Sequence, residues 1–120
     1  MTQLNSFGSI LTFAIEMETR IRDYYEAAAD ADRAAEANKR RINLERVRRE
    51  NVTEIKLEPI EGLHDDDYAL ELADTSAAGQ KAVEATAAHF YADVAPKLNV
   101  REAQRVLERY ARQHQELADA

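Results

Sequence analysis

Cysteine is absent from this 120-residue chain, which removes disulfides, thiolate metal sites and thiol nucleophiles from consideration. The lack of disulfides fits a cytoplasmic chain. Glycine occurs three times and proline twice, so residues that punctuate turns are scarce, while alanine, glutamate and arginine favour helix. No apolar run approaches the ~20 residues of a membrane span. The N-terminus also lacks a basic region followed by an apolar stretch, and no membrane partner is expected. Lys and Arg total 16 against 23 Asp and Glu, leaving a net charge of −7. That balance argues against general affinity for nucleic acid or anionic lipid. The length fits one domain over 1–120 with a single core.

What is present is helical periodicity. Leu4, Phe7, Leu11, Ala14, Glu18, Ile21, Tyr25 and Ala28 recur at alternating three- and four-residue steps, which marks one helical face. Asn5 or Ser6 is positioned to cap this helix, and a break is expected near Asp30–Asp32. A second helix follows, with inward positions Ala37, Leu44, Arg48, Asn51 and Ile55, ending at Pro59. Val52 to Ile60 also alternates like a strand, but no partner strand is evident, so helix is preferred. Residues 58–74 then carry seven carboxylates and no Lys or Arg. Such a segment is too long for a simple turn and suits a crossover along a bundle.

A third helix is expected from Thr75 or Ser76 to Pro96, with Ala77, Gln80, Glu84, Ala87, Tyr91, Val94 and Leu98 inward. Asn99 is the expected cap of a fourth, whose face reads Val100, Ala103, Leu107, Tyr110, His114 and Leu117. The expected fold is therefore all-α: an antiparallel four-helix bundle with one long crossover between helices two and three.

Within this plan one motif is written twice. Glu18 precedes Tyr25 by seven residues, Glu84 precedes Tyr91 by seven, and the copies are offset by 66. Each glutamate falls on an apolar stripe, where a carboxylate is costly unless paired or bound to metal. Paired inward carboxylates on two helices form half of a di-metal site.

These residues resemble the ferritin-like, rubrerythrin-type family. The run Phe13-Ala-Ile-Glu-Met-Glu18 through Tyr25-Glu-Ala-Ala is similar to that family's first helix, and Lys81-Ala-Val-Glu84 through Phe90-Tyr91 to its third. The resemblance implies a Glu-x-x-His pair on each of helices two and four. At the corresponding places this chain has Arg48 and Asn51, then Ala111 and His114. Of six implied ligands only Glu18, Glu84 and His114 remain.

Two readings follow. In the first, Arg48 neutralises the carboxylates within a buried polar centre of Glu18, Arg48, Asn51, Glu84, Tyr25 and Tyr91. No cofactor is then bound, and the chain is a structural or interaction protein rather than an enzyme. In the alternative, Glu18, Glu84 and His114 hold iron or another divalent metal, in an oxidoreductase or metal-handling protein.

Other clusters read more simply. His64 and His89 lie off the inward faces. The basic residues of 36–57 exceed the acidic ones by three and lack interleaved aromatics, which suits a solvated face rather than nucleic-acid binding. Asp65-Asp66-Asp67 lacks the ligand spacing of a helix-loop-helix calcium site. Apolar side chains at 10, 11, 13, 14, 15 and 17 surround more of helix one than one core covers. A homodimer through helix one, centred on Ile10 or Phe13, is therefore expected.

Overall fold

The computed structural model describes residues 4–51 and 60–120. The fold is all-α, with four α-helices among the described residues: α1 (Phe7–Ala27), α2 (Ala31–Asn51), α3 (Ala77–Val94) and α4 (Arg101–Asp119). The connectivity is the expected hairpin, long crossover, hairpin. The chain divides into two compact units, Met1–Glu61 and Gly62–Ala120, each built on one hairpin. The expected end of helix two at Pro59 and the strand-like alternation from Val52 fall largely outside the described residues.

In the first unit, α1 starts at a reciprocal cap. The Ser6 hydroxyl accepts from Ser9 N–H at 3.1 Å, and the Ser9 hydroxyl accepts from Ser6 N–H at 3.1 Å. Two of the helix's orphan donors are thereby satisfied. The stop carries no glycine. Ala29 takes the left-handed backbone, φ +60°. Ala29 N–H donates to Glu26 O at 3.1 Å and Asp30 N–H to Tyr25 O at 2.9 Å, the two bonds of a Schellman termination. Asp30 then opens α2, its carboxylate accepting from Arg33 N–H at 3.1 Å. A three-residue turn forces α2 back along α1, and cross-helix bonds give the antiparallel register: 12 with 48, 22 with 38, 25 with 33.

The second unit begins in the crossover, where Asp65–Tyr68 forms a short 3-10 turn. Tyr68 is buried and packs edge-on against Phe90 of α3, ring centroids 5.2 Å apart. Ser76 caps α3, accepting from Gly79 N–H at 3.3 Å. Gly79 matters because a Cβ there would stand 2.1 Å from Asp74 O, so the crossover backbone lies directly against the first turn of α3. After Val94 the chain makes a 3-10 turn through Pro96 and enters α4. Asn99 does not cap α4. The N-cap is Val100, which has no side-chain acceptor to offer, while Gln104 reaches back to donate to Leu98 O.

Burial follows the helical period. Leu11, Ala14, Ile21, Tyr25 and Leu44 are fully enclosed in the first unit, as are Ala87, Phe90, Tyr91 and Leu107 in the second. The 66-residue repeat is also a repeat of burial. Met17 and Val83, Tyr24 and Phe90, and Ala37 and Ala103 are buried pairwise. Tyr24 meets Tyr25 and Phe90 meets Tyr91 edge-on, each at 5.2 Å. No helix among the described residues is long and apolar enough to cross a membrane.

The apolar circumference of α1 is largely used inside the chain. Ile10 is fully buried and Met17 nearly so, Phe13 and Ile15 are half-buried, and Ile42 is the exposed large apolar side chain among the described residues. Ile10 therefore does not offer itself as the centre of a contact with a second copy.

Candidate functional site

Each hairpin buries one carboxylate of the repeated motif and supplies a basic side chain to it. In the first, Glu18 is 0% exposed and Arg40 4%. Arg40 Nε donates to both Glu18 oxygens, at 2.9 and 3.0 Å. Burying a carboxylate alone would be expensive, and a guanidinium, charged at any physiological pH, offsets that cost. Tyr25, one turn-pair further along the same face, is enclosed and reached by Arg33. The Arg33 guanidinium lies 5.5 Å from the ring centroid, with one N–H at 3.5 Å from the hydroxyl.

The partner of Glu18 is thus Arg40, not Arg48. The buried residues of α2 are Ala34, Ala37, Arg40, Leu44 and Val47, which places Arg48 on the flank. Arg48 is half-buried, and its Nε donates to Thr12 Oγ1 at 3.1 Å. Asn51 turns its amide back to Val47 O at 2.8 Å, a bond within its own helix. Arg48 is the position implied by the family resemblance, whereas the hairpin itself selects another residue. With the turn at Ala29, the residue opposite Glu18, eleven before it, is Arg40, eleven after it.

In the second hairpin Glu84 and His114 are both fully buried, and His114 Nδ1 is hydrogen-bonded to Glu84 Oε2. The Tyr91 ring stacks on the imidazole, with planes 9° apart and centroids at 5.6 Å. Tyr110 meets Tyr91 edge-on at 5.7 Å. The Tyr91 face thus covers one side of the imidazole, which is fully enclosed. Ala111 contributes no donor or acceptor side chain.

These geometries bear on metal. A di-metal pair needs a convergent set of carboxylates and imidazoles with free lone pairs. Both Glu18 oxygens already accept from Arg40, and Glu84 is engaged by His114. Among the described residues no three or more His, Cys, Asp or Glu side chains are grouped so as to hold a metal ion. The side chains that are grouped form one carboxylate–base pair within each hairpin.

One polar cluster went unnoticed in the sequence. The Tyr68 hydroxyl donates to Asp93 Oδ2 at 2.7 Å, and His89 Nε2 lies 3.2 Å from the same oxygen. Burial, then the bond to Asp93 and the charges of Asp93 and Asp67, push the Tyr68 phenol well above the ordinary tyrosine value. His89 and Asp93 are one helical turn apart, a spacing that signals a surface pair, but nothing local in the sequence brings Tyr68 to them. His64 is exposed. No protein-family model matches this chain, and neither a curated protein nor a solved structure matches it.

Proposed function

We propose that this chain is a ferritin-like, rubrerythrin-type protein, folding over 1–120 as one domain, in which internal acid–base pairs have replaced metal. On this reading it needs no cofactor and works as a structural or interaction protein in a cytoplasmic setting. The observation that carries the proposal is the Glu18–Arg40 pair, because a permanent cation stands on the carboxylate that a metal would need. A divalent ion would have to displace that guanidinium and leave it buried without its counter-charge, at a cost of several kcal/mol. The connectivity and the burial of both motif glutamates support the family part of the reading, and hairpin units of this size are marginal by themselves. Self-association through α1 belongs to the same proposal, now centred on Phe13 because Ile10 is enclosed.

A second reading has one observation in its favour. Glu84 and His114 touch, and a divalent metal could take the place of the proton between them. Thermal unfolding in excess ferrous iron, manganese or zinc separates the readings. A ligand at about a hundred times its Kd adds roughly 2.7 kcal/mol. The first reading expects an unchanged midpoint with each ion. A rise of several degrees, lost in His114→Ala, favours the second.

A further inference from the structure

Along α4 four arginines, Arg101, Arg105, Arg109 and Arg112, are exposed at steps of four, four and three residues. That spacing sets them in one stripe, about 16 Å long at the helical rise. Arg109 lies over the Tyr110 ring at 5.4 Å, and none of the four has an ion-pair partner among the described residues. Glu102 and Glu108 lie on the same stretch, so the stripe from 101 to 112 is net +2. Within the same unit, Asp65, Asp66 and Asp67 stand together on the crossover's 3-10 turn. They too form no ion pair among the described residues, and no Lys or Arg occurs from 58 to 80. This acidic turn is held in place: Tyr68 anchors it to α3 through Phe90 and Asp93. Consecutive side chains of a 3-10 turn point about 120° apart, so the turn presents carboxylates on more than one side and one or two of them can meet an arginine pair. Arginine, with its planar fork of donors, is suited to carboxylate pairs.

We infer that the arginine stripe of α4 is a docking surface for the Asp65–Asp67 turn of a second copy of this chain. Both surfaces sit on one hairpin unit and are not paired to each other there, so the contact is made between copies. It is heterologous, stripe to turn, and runs head to tail. The acidic turns of two copies therefore never face each other. Being electrostatic and exposed, the association weakens with salt, unlike an apolar contact through Phe13.

Sedimentation velocity of the full chain tests this. The association constant is expected to fall at least about tenfold between about 20 mM and about 300 mM salt. Arg105→Glu with Arg109→Glu and Arg112→Glu, and separately Asp65→Lys with Asp66→Lys and Asp67→Lys, should each abolish the salt-dependent association, leaving at low salt only what wild type keeps at about 300 mM salt. All six positions lie outside the enclosed core, and circular dichroism checks that both variants stay folded. Mixing the two reversed variants restores both stripe-to-turn pairings and should restore association. The inference is overturned by a wild-type monomer at low salt, by association indifferent to salt, or by a mixture that associates no more at low salt than each variant alone. It is likewise overturned if the stripe instead binds a homopolymeric RNA and self-association is absent.

Discussion

Replacing Arg40 by methionine should be among the most damaging single changes in the molecule. The guanidinium is 4% exposed and its carboxylate partner fully buried, so the change leaves Glu18 enclosed without the guanidinium that faces it, and it must either hold its charge uncompensated or take up a proton. Breaking such a pair from one side costs about 3–5 kcal/mol. At roughly 4 °C per kcal/mol for a chain of this size, that is a fall of ~12–20 °C in Tm. Glu18→Gln alone should cost a similar amount, because it strands the guanidinium. The double variant Arg40→Met with Glu18→Gln should return to within about 2 kcal/mol of wild type, a coupling of at least ~4 kcal/mol. Arg48→Met is the control. That side chain is half-buried and makes one hydrogen bond, to Thr12, so a loss of about 1 kcal/mol is expected. Urea unfolding followed by circular dichroism measures all four. The reasoning fails if Arg40→Met costs no more than Arg48→Met, or if the losses at 18 and 40 simply add.

Three further outcomes follow from the backbone and the crossover. Ala29→Gly should stabilise by about 1 kcal/mol, read as a higher denaturation midpoint, because the left-handed φ of +60° costs alanine about that much and glycine nothing; an unchanged midpoint would contradict the strained stop. Gly79→Ala should destabilise, although alanine ordinarily gains up to ~1 kcal/mol within a helix, because the added methyl meets Asp74 O; a gain in stability would mean the crossover yields freely. Tyr68 has a folded-state pKa raised above its usual 10.0, so its contribution is fully present below about pH 10 and is lost as pH rises further. Tyr68→Phe should therefore cost about 1 kcal/mol at neutral pH and flatten the alkaline loss seen in wild type; parallel pH curves would refute this.

Much of the fold was legible because the helices obey their period closely. Glu18, Tyr25, Glu84 and Tyr91 fall on steps of three and four with Ile21 and Ala87, and all six are enclosed. Ser6 and Ser76 act as caps where short polar side chains precede apolar runs. The end of α1 was less visible, since a Schellman stop is usually written with glycine and here is written with Ala29. Arg40 was hidden because the resemblance pointed to position 48, and its role depends on register across the hairpin rather than on any local pattern. The α2 stripe compounded the error, because steps from Ala37 to Leu44 are compatible with either Arg40 or Arg41 inward, and polar side chains give no hydrophobic signal to choose. Tyr68 escaped for a related reason. A lone tyrosine in an acidic segment reads as solvated, and only the folded crossover brings it to Phe90 and Asp93.

The central claim is that internal basic groups, not metal, satisfy the buried carboxylates. Metal analysis of wild-type protein after aerobic exposure to ferrous iron, followed by desalting, addresses it most directly. The account predicts well under one iron per chain and no ferroxidase activity. Near-stoichiometric, tightly held iron that is lost on Glu18→Gln or Glu84→Gln would contradict it.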